Sequence, residues 1–180
     1  ATFPDLETND GRPVLAVGAY GVDPDGAVFM VGLNAGGTAS SLQVKIVNAE
    51  GSWFGYSVAA LPDLDGNGRP EYAVGVVSTG PSQQGAVFVC DLNADGTAAT
   101  QRKINKDQVS SINNYDQFGS SVAFLPDIDG NGRPEQIMCT WGRDSNRGAA
   151  WVVELNADGS ALSVIKEISN DDAAISLGVS

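Results

Sequence analysis

An acidic segment that occurs twice in this chain constrains its fold more than any other feature. Residues 61–71 read LPDLDGNGRPE, and residues 125–135 read LPDIDGNGRPE. A weaker copy, FPDLETNDGRP, occupies residues 3–13. Self-similarity at a regular spacing indicates a repeat architecture, in which each copy forms one supersecondary unit and neighbouring units bury a shared core.

Two further motifs repeat in step with the acidic segment. FGYSV at residues 54–58 matches FGSSV at residues 118–122, and LGVS at residues 177–180 begins another copy. An apolar strand that opens with Gly-Ala occurs once in each copy, at residues 26–31, 85–90 and 148–153. Apolar runs separated by Gly, Asn, Asp and Pro predict short strands joined by tight turns.

Each unit is predicted to hold four strands. In the second unit they contain residues 54–60, 72–77 and 86–90, with the fourth strand near residues 101–104. The second and third strands are almost continuously apolar, which is typical of strands buried on both faces. The chain is therefore predicted to be all-β, with three four-stranded antiparallel blades stacked face to face as in a propeller.

The repeats also predict blade boundaries. The first blade spans residues 1–53 and lacks its first strand, the second spans 54–117, and the third spans 118–176. The segment from Leu177 to Ser180 reads as the first strand of a following blade. Because propellers close with about four to eight blades, three are too few for a ring, and we expect an open or head-to-tail array. Either the chain is one window of a longer tandem chain, or this last segment completes the first blade of another copy by strand addition.

The acidic segment has the pattern of a calcium-binding loop. Calcium takes about 6–8 oxygen ligands, and a tight loop supplies them from alternating positions. The candidate ligands are the side chains at loop positions 1, 3, 5 and 9 and the carbonyl at position 7, which are Asp63, Asp65, Asn67, Arg69 and Glu71, and then Asp127, Asp129, Asn131, Arg133 and Glu135. Gly68 and Gly132 permit the sharp bend. The alternative is a solvated acidic turn without a metal.

The first loop is altered. It retains three candidate ligands, Asp5, Glu7 and Asn9. However, an additional Asp precedes its glycine, and Val14 occupies the position of the closing carboxylate. We therefore expect weak calcium binding or none at this loop.

Charge and composition argue against several classes of function. The formal net charge is −12 and the chain has no His. Such a surface repels phosphate backbones and anionic membranes, and no apolar run reaches the ~20 residues that span a bilayer. The commonest general base and zinc ligand is missing, and neither a nucleophile elbow nor a phosphate-binding loop occurs. We expect no nucleic-acid partner, no membrane span and no enzymatic activity.

The two cysteines are expected to be buried free thiols. Cys90 and Cys139 both align with inner-strand positions of the other repeats, and nothing in the sequence brings them within reach of a disulfide. Cys139 takes the place of Gly75 in the next repeat. This replacement predicts that the inner strand tolerates a small side chain there, whereas a bulky one would overpack it.

A second Asn-rich segment resembles the start of a calcium loop. Residues 91–96 read DLNADG, and their counterparts at residues 32–37 and 154–159 keep Asn and Gly but differ in charge. Asn and Gly are the residues that tight β-turns require. We interpret all three segments as hairpin turns.

Taken in order, the Phe-Gly-x-Ser-Val strand, the acidic loop and the Gly-Ala-Val-Phe-Val strand resemble the FG-GAP repeat of integrin-α propellers and their bacterial and algal relatives. The resemblance covers essentially the whole chain. It implies four-stranded blades, calcium in the loop between the first two strands, and an extracellular adhesion or surface protein. The chain departs from the family pattern in its altered first loop, in having too few blades for the closed ring, and in Glu71 and Glu135, where the family prefers Asp.

These observations favour one class of function and leave a second open. The first is an extracellular or cell-surface structural or adhesive module, stabilised by calcium and assembled head to tail. The alternative is a lectin-like segment that binds glycans through clefts between blades and through Trp53 or Trp141, which lie near loops. Trp151 aligns with core phenylalanines and is expected to be buried. Filaments formed without any ligand would favour the first class, and glycan binding that requires a tryptophan would favour the second.

Overall fold

A computed structural model describes residues 1–3, 11–22, 24–48 and 52–169. These residues form three four-stranded antiparallel sheets, and in each sheet the strands lie in chain order. The first sheet contains β1 (Thr2–Phe3), β2 (Val14–Ala19), β3 (Ala27–Leu33) and β4 (Ala39–Ile46). The second contains β5 (Ser52–Ala60), β6 (Tyr72–Ser78), β7 (Ala86–Leu92) and β8 (Ala98–Ile104). The third contains β9 (Ser121–Leu125), β10 (Glu135–Thr140), β11 (Ala149–Leu155) and β12 (Ala161–Ser169), with a single turn α1 (Arg143–Asn146) between β10 and β11.

The predicted all-β fold of three four-stranded blades is therefore confirmed, and none of the sheets is closed. Tight turns join the third and fourth strands, as the Asn-x-x-Gly segments predicted. In the second blade, the backbone N–H of Gly96 donates to the carbonyl of Asn93 at 3.0 Å, and the other two blades repeat this bond. Gly96 has φ +81°, a left-handed conformation that glycine adopts without strain.

The hydrophobic core lies between the blades. Val74 and Val76 of β6 belong to a buried cluster shared with the first blade, whereas Ala73 belongs to one shared with the third. Alternate residues of a strand point to opposite faces of its sheet, so one strand contributes to both clusters. This arrangement explains why β6 and β7 are buried along almost their whole length. Trp151 is fully buried in the second cluster, as predicted.

The Phe-Gly motif of the second blade docks on the Gly-Ala motif of the first blade. The backbone N–H of Phe54 donates to the carbonyl of Asp25 at 2.8 Å, and Gly26 and Phe54 form a parallel bridge. Gly55 has φ +88°, and a Cβ at this position would overlap the carbonyl oxygen of Ala27. The repeated glycine is therefore required by the contact between blades.

The same contact recurs between the second and third blades. The backbone N–H of Phe118 donates to the carbonyl of Gln84 at 2.8 Å, and Gly85 and Phe118 form the bridge. Beside it, a Cβ on Gly75 would overlap the carbonyl oxygen of Gly119. Blades two and three therefore approach each other backbone to backbone at this point.

The first blade has a short first strand that the sequence analysis did not expect. Thr2 pairs with Leu15 and Phe3 with Val14. Phe3 is buried and contacts Tyr72 of the second blade edge to face, with ring centroids 6.2 Å apart. Burial of this aromatic ring between two blades explains why even a two-residue strand is held there. The strand predicted from Leu177 to Ser180 lies outside the described residues.

Both cysteines carry free thiols. Cys90 is buried and Cys139 is half-buried. Burial raises the pKa of the Cys139 thiol, so it stays protonated and weakly reactive at neutral pH.

No helix within the described ranges has both the length and the apolar character needed to cross a bilayer.

Candidate metal sites

The acidic loop of the second blade joins β5 to β6 and folds around the carboxylate of Asp63. Oδ1 of Asp63 accepts hydrogen bonds from the backbone N–H groups of Gly66 at 2.7 Å and Asn67 at 3.1 Å, and Oδ2 accepts one from Gly68 at 2.8 Å. Both glycines have a positive φ, which permits the sharp bend. The loop therefore closes on its first acidic residue.

The next two predicted ligands form similar local turns. Oδ1 of Asp65 accepts from the backbone N–H of Asn67 at 3.0 Å, and Oδ1 of Asn67 accepts from that of Arg69 at 2.8 Å. Asp and Asn stabilise tight turns in this way. Ligation by the Asn67 side chain and by the Arg69 carbonyl stays a prediction, because the observed bonds describe only the shape of the loop.

Glu71 closes the loop and is the residue immediately before β6. Its side chain is only 1% exposed, and Oε2 accepts a hydrogen bond from the backbone N–H of Leu64 at 2.6 Å. The other oxygen, Oε1, is buried and has no hydrogen-bond partner in the described part of the chain. An unpartnered buried carboxylate oxygen is costly unless something else compensates it.

Three carboxylates converge in this loop. One oxygen each of Asp63, Asp65 and Glu71 lies within 4.8 Å of the others. Like charges at such distances repel strongly, whereas a divalent cation among them would neutralise the group. The cluster could therefore hold a metal ion.

The loop between β9 and β10 of the third blade repeats this geometry. Oδ1 of Asp127 accepts from the backbone N–H groups of Gly130 at 2.7 Å and Asn131 at 3.1 Å, and Oδ2 accepts from Gly132 at 2.8 Å. Asp129 and Asn131 repeat the two turns that follow. Two loops with nearly the same sequence thus reach nearly the same set of bonds, because almost all of those bonds are local.

Glu135 closes the third-blade loop as Glu71 closes the second. It is fully buried, Oε2 accepts from the backbone N–H of Ile128 at 2.8 Å, and Oε1 has no partner among the residues described. Asp127, Asp129 and Glu135 again bring carboxylate oxygens within 4.8 Å of one another. The predicted first-loop ligands Asp5, Glu7 and Asn9 lie outside the described residues.

The acidic groups of the two loops differ in their pKa values. Desolvation acts to raise the pKa of Asp63, but the N–H donors of Gly68, Gly66 and Asn67 outweigh it, and the pKa is lowered. The N–H donor of Gly132 is the main cause of the lowered pKa of Asp127. Burial raises the pKa of Glu71 to about 7, and neighbouring carboxylates add to the effect. Asp63 and Asp127, at the first loop position, are thus anionic at neutral pH, and in the second-blade loop Glu71 would gain most from a nearby cation.

One acidic position beside each loop was missed by the sequence analysis. Glu154 of β11 pairs with Glu135 across the sheet. Its Oε1 accepts from Nδ2 of Asn131 at 3.0 Å and lies 3.7 Å from Nε of Arg133. Glu154 therefore holds the third-blade loop from the neighbouring strand.

A signal for this position was present in the repeat. Glu154 corresponds to Asp91 in the second blade, and Asp91 is one of the carboxylates that raise the pKa of Glu71. In the first blade, whose loop lacks the closing carboxylate, the corresponding residue is Gly32, which pairs with Val14. An acidic residue therefore stands at this strand position only in the two copies with intact loops.

Comparison with known proteins shows similarity to integrin α chains. Integrin alpha-5 of Xenopus laevis is 35% identical over 92 residues, which are 51% of this chain and 9% of that protein. Integrin alpha-7 of Homo sapiens is 32% identical over 136 residues, or 72% of this chain and 11% of that protein. Integrin alpha pat-2 of Caenorhabditis elegans is 32% identical over 105 residues. The chain thus spans about a tenth of the length of these relatives.

A solved structure has a similar fold. It is that of a fucose lectin from Kordia zhangzhouensis in complex with methyl-fucoside, with a TM-score of 0.50 and 11% sequence identity. The similarity covers 84% of this chain and 91% of that one. At this level of identity the likeness concerns the fold alone. No family model matches the sequence.

Proposed function

The chain is an array of integrin-α-type (FG-GAP) repeats, and from this premise we propose that it is an extracellular structural or adhesive module whose blades are stabilised by calcium. The relatives found by sequence are integrin α chains, and the alignments with integrin alpha-5 and integrin alpha-7 cover 51% and 72% of this chain. Extracellular calcium at millimolar concentration matches the affinity of about 10⁻⁴–10⁻³ M that extracellular calcium modules commonly have. The proposal includes no catalytic activity.

One observation carries the calcium part of the proposal. In each of the two loops the closing glutamate is buried with Oε1 unpartnered. One oxygen from each of two aspartates lies within 4.8 Å of one oxygen of that glutamate. Hard oxygen donors with a net negative charge suit calcium better than zinc or copper, which favour nitrogen and sulfur. The residues that would hold calcium are Asp63, Asp65, Asn67, Glu71 and the Arg69 carbonyl, and then Asp127, Asp129, Asn131, Glu135 and the Arg133 carbonyl.

The site-specific test is the substitution Asp129→Ala. We expect the number of calcium ions bound with clear affinity to fall from two to one per chain, because each loop is built from bonds within its own blade. The dissociation constant of the remaining second-blade site should stay within about threefold of its original value. Isothermal titration calorimetry measures both quantities.

Asp107→Ala is the matched control for this test. Asp107 is an exposed aspartate outside both loops, so its replacement removes the same charge without removing a ligand. Two sites should remain. Loss of both sites in Asp129→Ala, or retention of both, would contradict the proposal that each loop is an independent calcium site.

The second part of the proposal is head-to-tail assembly. Twice in the structure a Phe-Gly strand docks on the Gly-Ala motif of the preceding blade. The third blade carries the same motif at Gly148 and Ala149, and Gly148 has the same left-handed backbone as Gly26 and Gly85. We propose that the strand beginning at Leu177, or the matching strand of a flanking repeat, occupies this surface in a neighbouring unit. A head-to-tail contact that does not close produces a filament.

Assembly can be tested by comparing the full chain with a chain that ends at Ile175. In calcium, we expect the full chain to form larger species in analytical ultracentrifugation, whereas the shortened chain remains monomeric. Leu177→Lys in the full chain is the length-matched control. Phe54 and Phe118, which occupy this position in the earlier repeats, are completely buried, so a charged side chain should block docking. A well-folded full chain that stays monomeric, or a shortened chain that polymerises equally well, would overturn this part of the proposal.

A further inference from the structure

Three exposed aromatic side chains meet at the junction of the first and second blades. Tyr20, Trp53 and Tyr56 are 50%, 46% and 37% exposed. Their ring centroids are 6.1 Å apart for Tyr20 and Trp53, 5.1 Å for Tyr20 and Tyr56, and 6.5 Å for Trp53 and Tyr56. We call these three residues the aromatic cluster. Contiguous exposed apolar surface of this kind marks an interaction site more often than isolated side chains do.

The repeat itself does not require these aromatic residues. At the junction of the second and third blades, the corresponding positions hold Val77, Gln117 and Ser120. Trp53 and Gln117 share a left-handed backbone, with φ +72° and +60°. The left-handed backbone is therefore common to both repeats, whereas the tryptophan side chain occurs in only one of them. Blade packing therefore does not explain why all three positions are aromatic at one junction and none is aromatic at the other.

The Trp53 and Tyr56 rings are the part of the aromatic cluster that favours a flat ligand face. Their planes differ by only 14°, whereas the Tyr20 ring is tilted by 56° against Trp53 and by 48° against Tyr56. All three centroid distances lie in the range of direct ring contact, so the rings form a surface and leave no space among them for a ligand group. Flat partners for such a surface are nucleobases and the C–H faces of sugar rings. The net charge of −12 disfavours nucleobases, because nucleic acids carry negative phosphates.

We propose that the aromatic cluster is a carbohydrate-binding platform on which the C–H face of a β-linked pyranose stacks. The polarised C–H bonds of such a face are attracted to the negative face of an aromatic ring. This function goes beyond the calcium-stabilised module and does not depend on it. Trp53 is the second and Tyr56 the fifth residue of β5, whereas the metal loop follows the end of this strand. At about 3.3 Å per residue, the two side chains lie roughly 13–23 Å from the end of the strand that leads into the loop.

The experiment titrates the full chain, in calcium, with neutral hexasaccharides: cellohexaose, xylohexaose, laminarihexaose and chitohexaose. We expect at least one of them to bind with a dissociation constant of about 1 mM or lower. We also expect it to change the tryptophan fluorescence, because Trp53 is exposed. The double variant Trp53→Gln, Tyr56→Ser takes its residues from the next repeat, so folding should be preserved, and thermal melting checks this. Its affinity for the bound saccharide should fall at least tenfold.

Trp141→Gln provides the matched control, because Trp141 is the other partly exposed tryptophan and lies outside the cluster. Its affinity for the saccharide should be unchanged. The proposal is overturned if none of the saccharides binds, if the double variant binds as tightly as the original chain, or if Trp141→Gln loses as much affinity. It is likewise overturned if the double variant abolishes self-association while no saccharide binds, since the cluster would then be a contact between copies.

Discussion

Removal of calcium is expected to lower the melting temperature of the protein by roughly 10–20 °C. A ligand that binds only the folded state stabilises it. At about 100 times the dissociation constant, which is roughly 10–100 mM calcium for a constant of about 10⁻⁴–10⁻³ M, each site adds about 2.7 kcal/mol to the free energy of unfolding. Two independent loops would together add about 5 kcal/mol, and a domain of this size gains about 2–4 °C per kcal/mol. The physical source is the pair of acidic clusters whose carboxylates repel one another without a cation.

Differential scanning calorimetry in excess calcium and in excess chelator measures this shift. The double variant Asp63→Ala, Asp127→Ala is the control, because it removes from each loop the residue around which the loop folds. Its melting temperature should respond little to calcium. Identical melting curves of the unmodified chain with calcium and with chelator would refute calcium stabilisation.

The substitution Gly75→Ala is expected to destabilise the protein by about 2–3 kcal/mol, which corresponds to a fall in melting temperature of roughly 5–10 °C. The added methyl group would overlap the carbonyl oxygen of Gly119 and the hydroxyl of Ser57. That carbonyl accepts a hydrogen bond from Oγ of Ser57 at 2.8 Å, so it is held in place. Relief of the overlap requires the third blade to move away from the second, which loosens the apolar cluster between them.

Gly36→Ala is the matched control for this substitution. Gly36 lies in the turn between β3 and β4, and nothing lies within 4 Å of a Cβ built there. Its replacement should change the free energy of unfolding by no more than about 0.5 kcal/mol. Urea denaturation of both variants measures the difference. If Gly75→Ala unfolds at the same urea concentration as the unmodified chain, the second and third blades do not approach each other as closely as described.

The Gly75 prediction also corrects an expectation drawn from the repeat alignment. Because Cys139 replaces Gly75 in the third repeat, the sequence suggested that a small side chain is tolerated at this position. In the structure Gly75 faces the next Phe-Gly strand, whereas no such strand faces Cys139 within the described residues. Equivalent positions in a repeat have equivalent constraints only where both have the same neighbour.

Strands and loops were predictable from the sequence because their causes are local. The short apolar run at residues 86–90, bounded by turn residues on both sides, indicates a buried strand, and Asn93 and Gly96 predict the tight turn that follows. The bonds that shape the acidic loop connect Asp63 to residues no more than five positions away. A repeated local pattern therefore predicts a repeated local structure.

Contacts between blades were not predictable in the same way. The hydrogen bond from Phe54 to Asp25 joins residues of different blades, and nothing near either residue indicates the other. Glu154 reaches its loop only because β10 and β11 place it opposite Glu135. Such pairings depend on strand register and blade spacing, which a single repeat does not encode by itself.

The core lies between the blades, and this placement determines the order in which the blades fold and unfold. Because both buried clusters combine residues of two neighbouring blades, one blade alone would have no interior, and each added blade contributes one complete apolar layer. Folding must therefore begin with a pair of blades and proceed outward one blade at a time, as in other linear arrays. In a monomer of residues 1–180, unfolding should run in the opposite sense. The first and third blades, each held by a single layer, should exchange their amide hydrogens before the middle one.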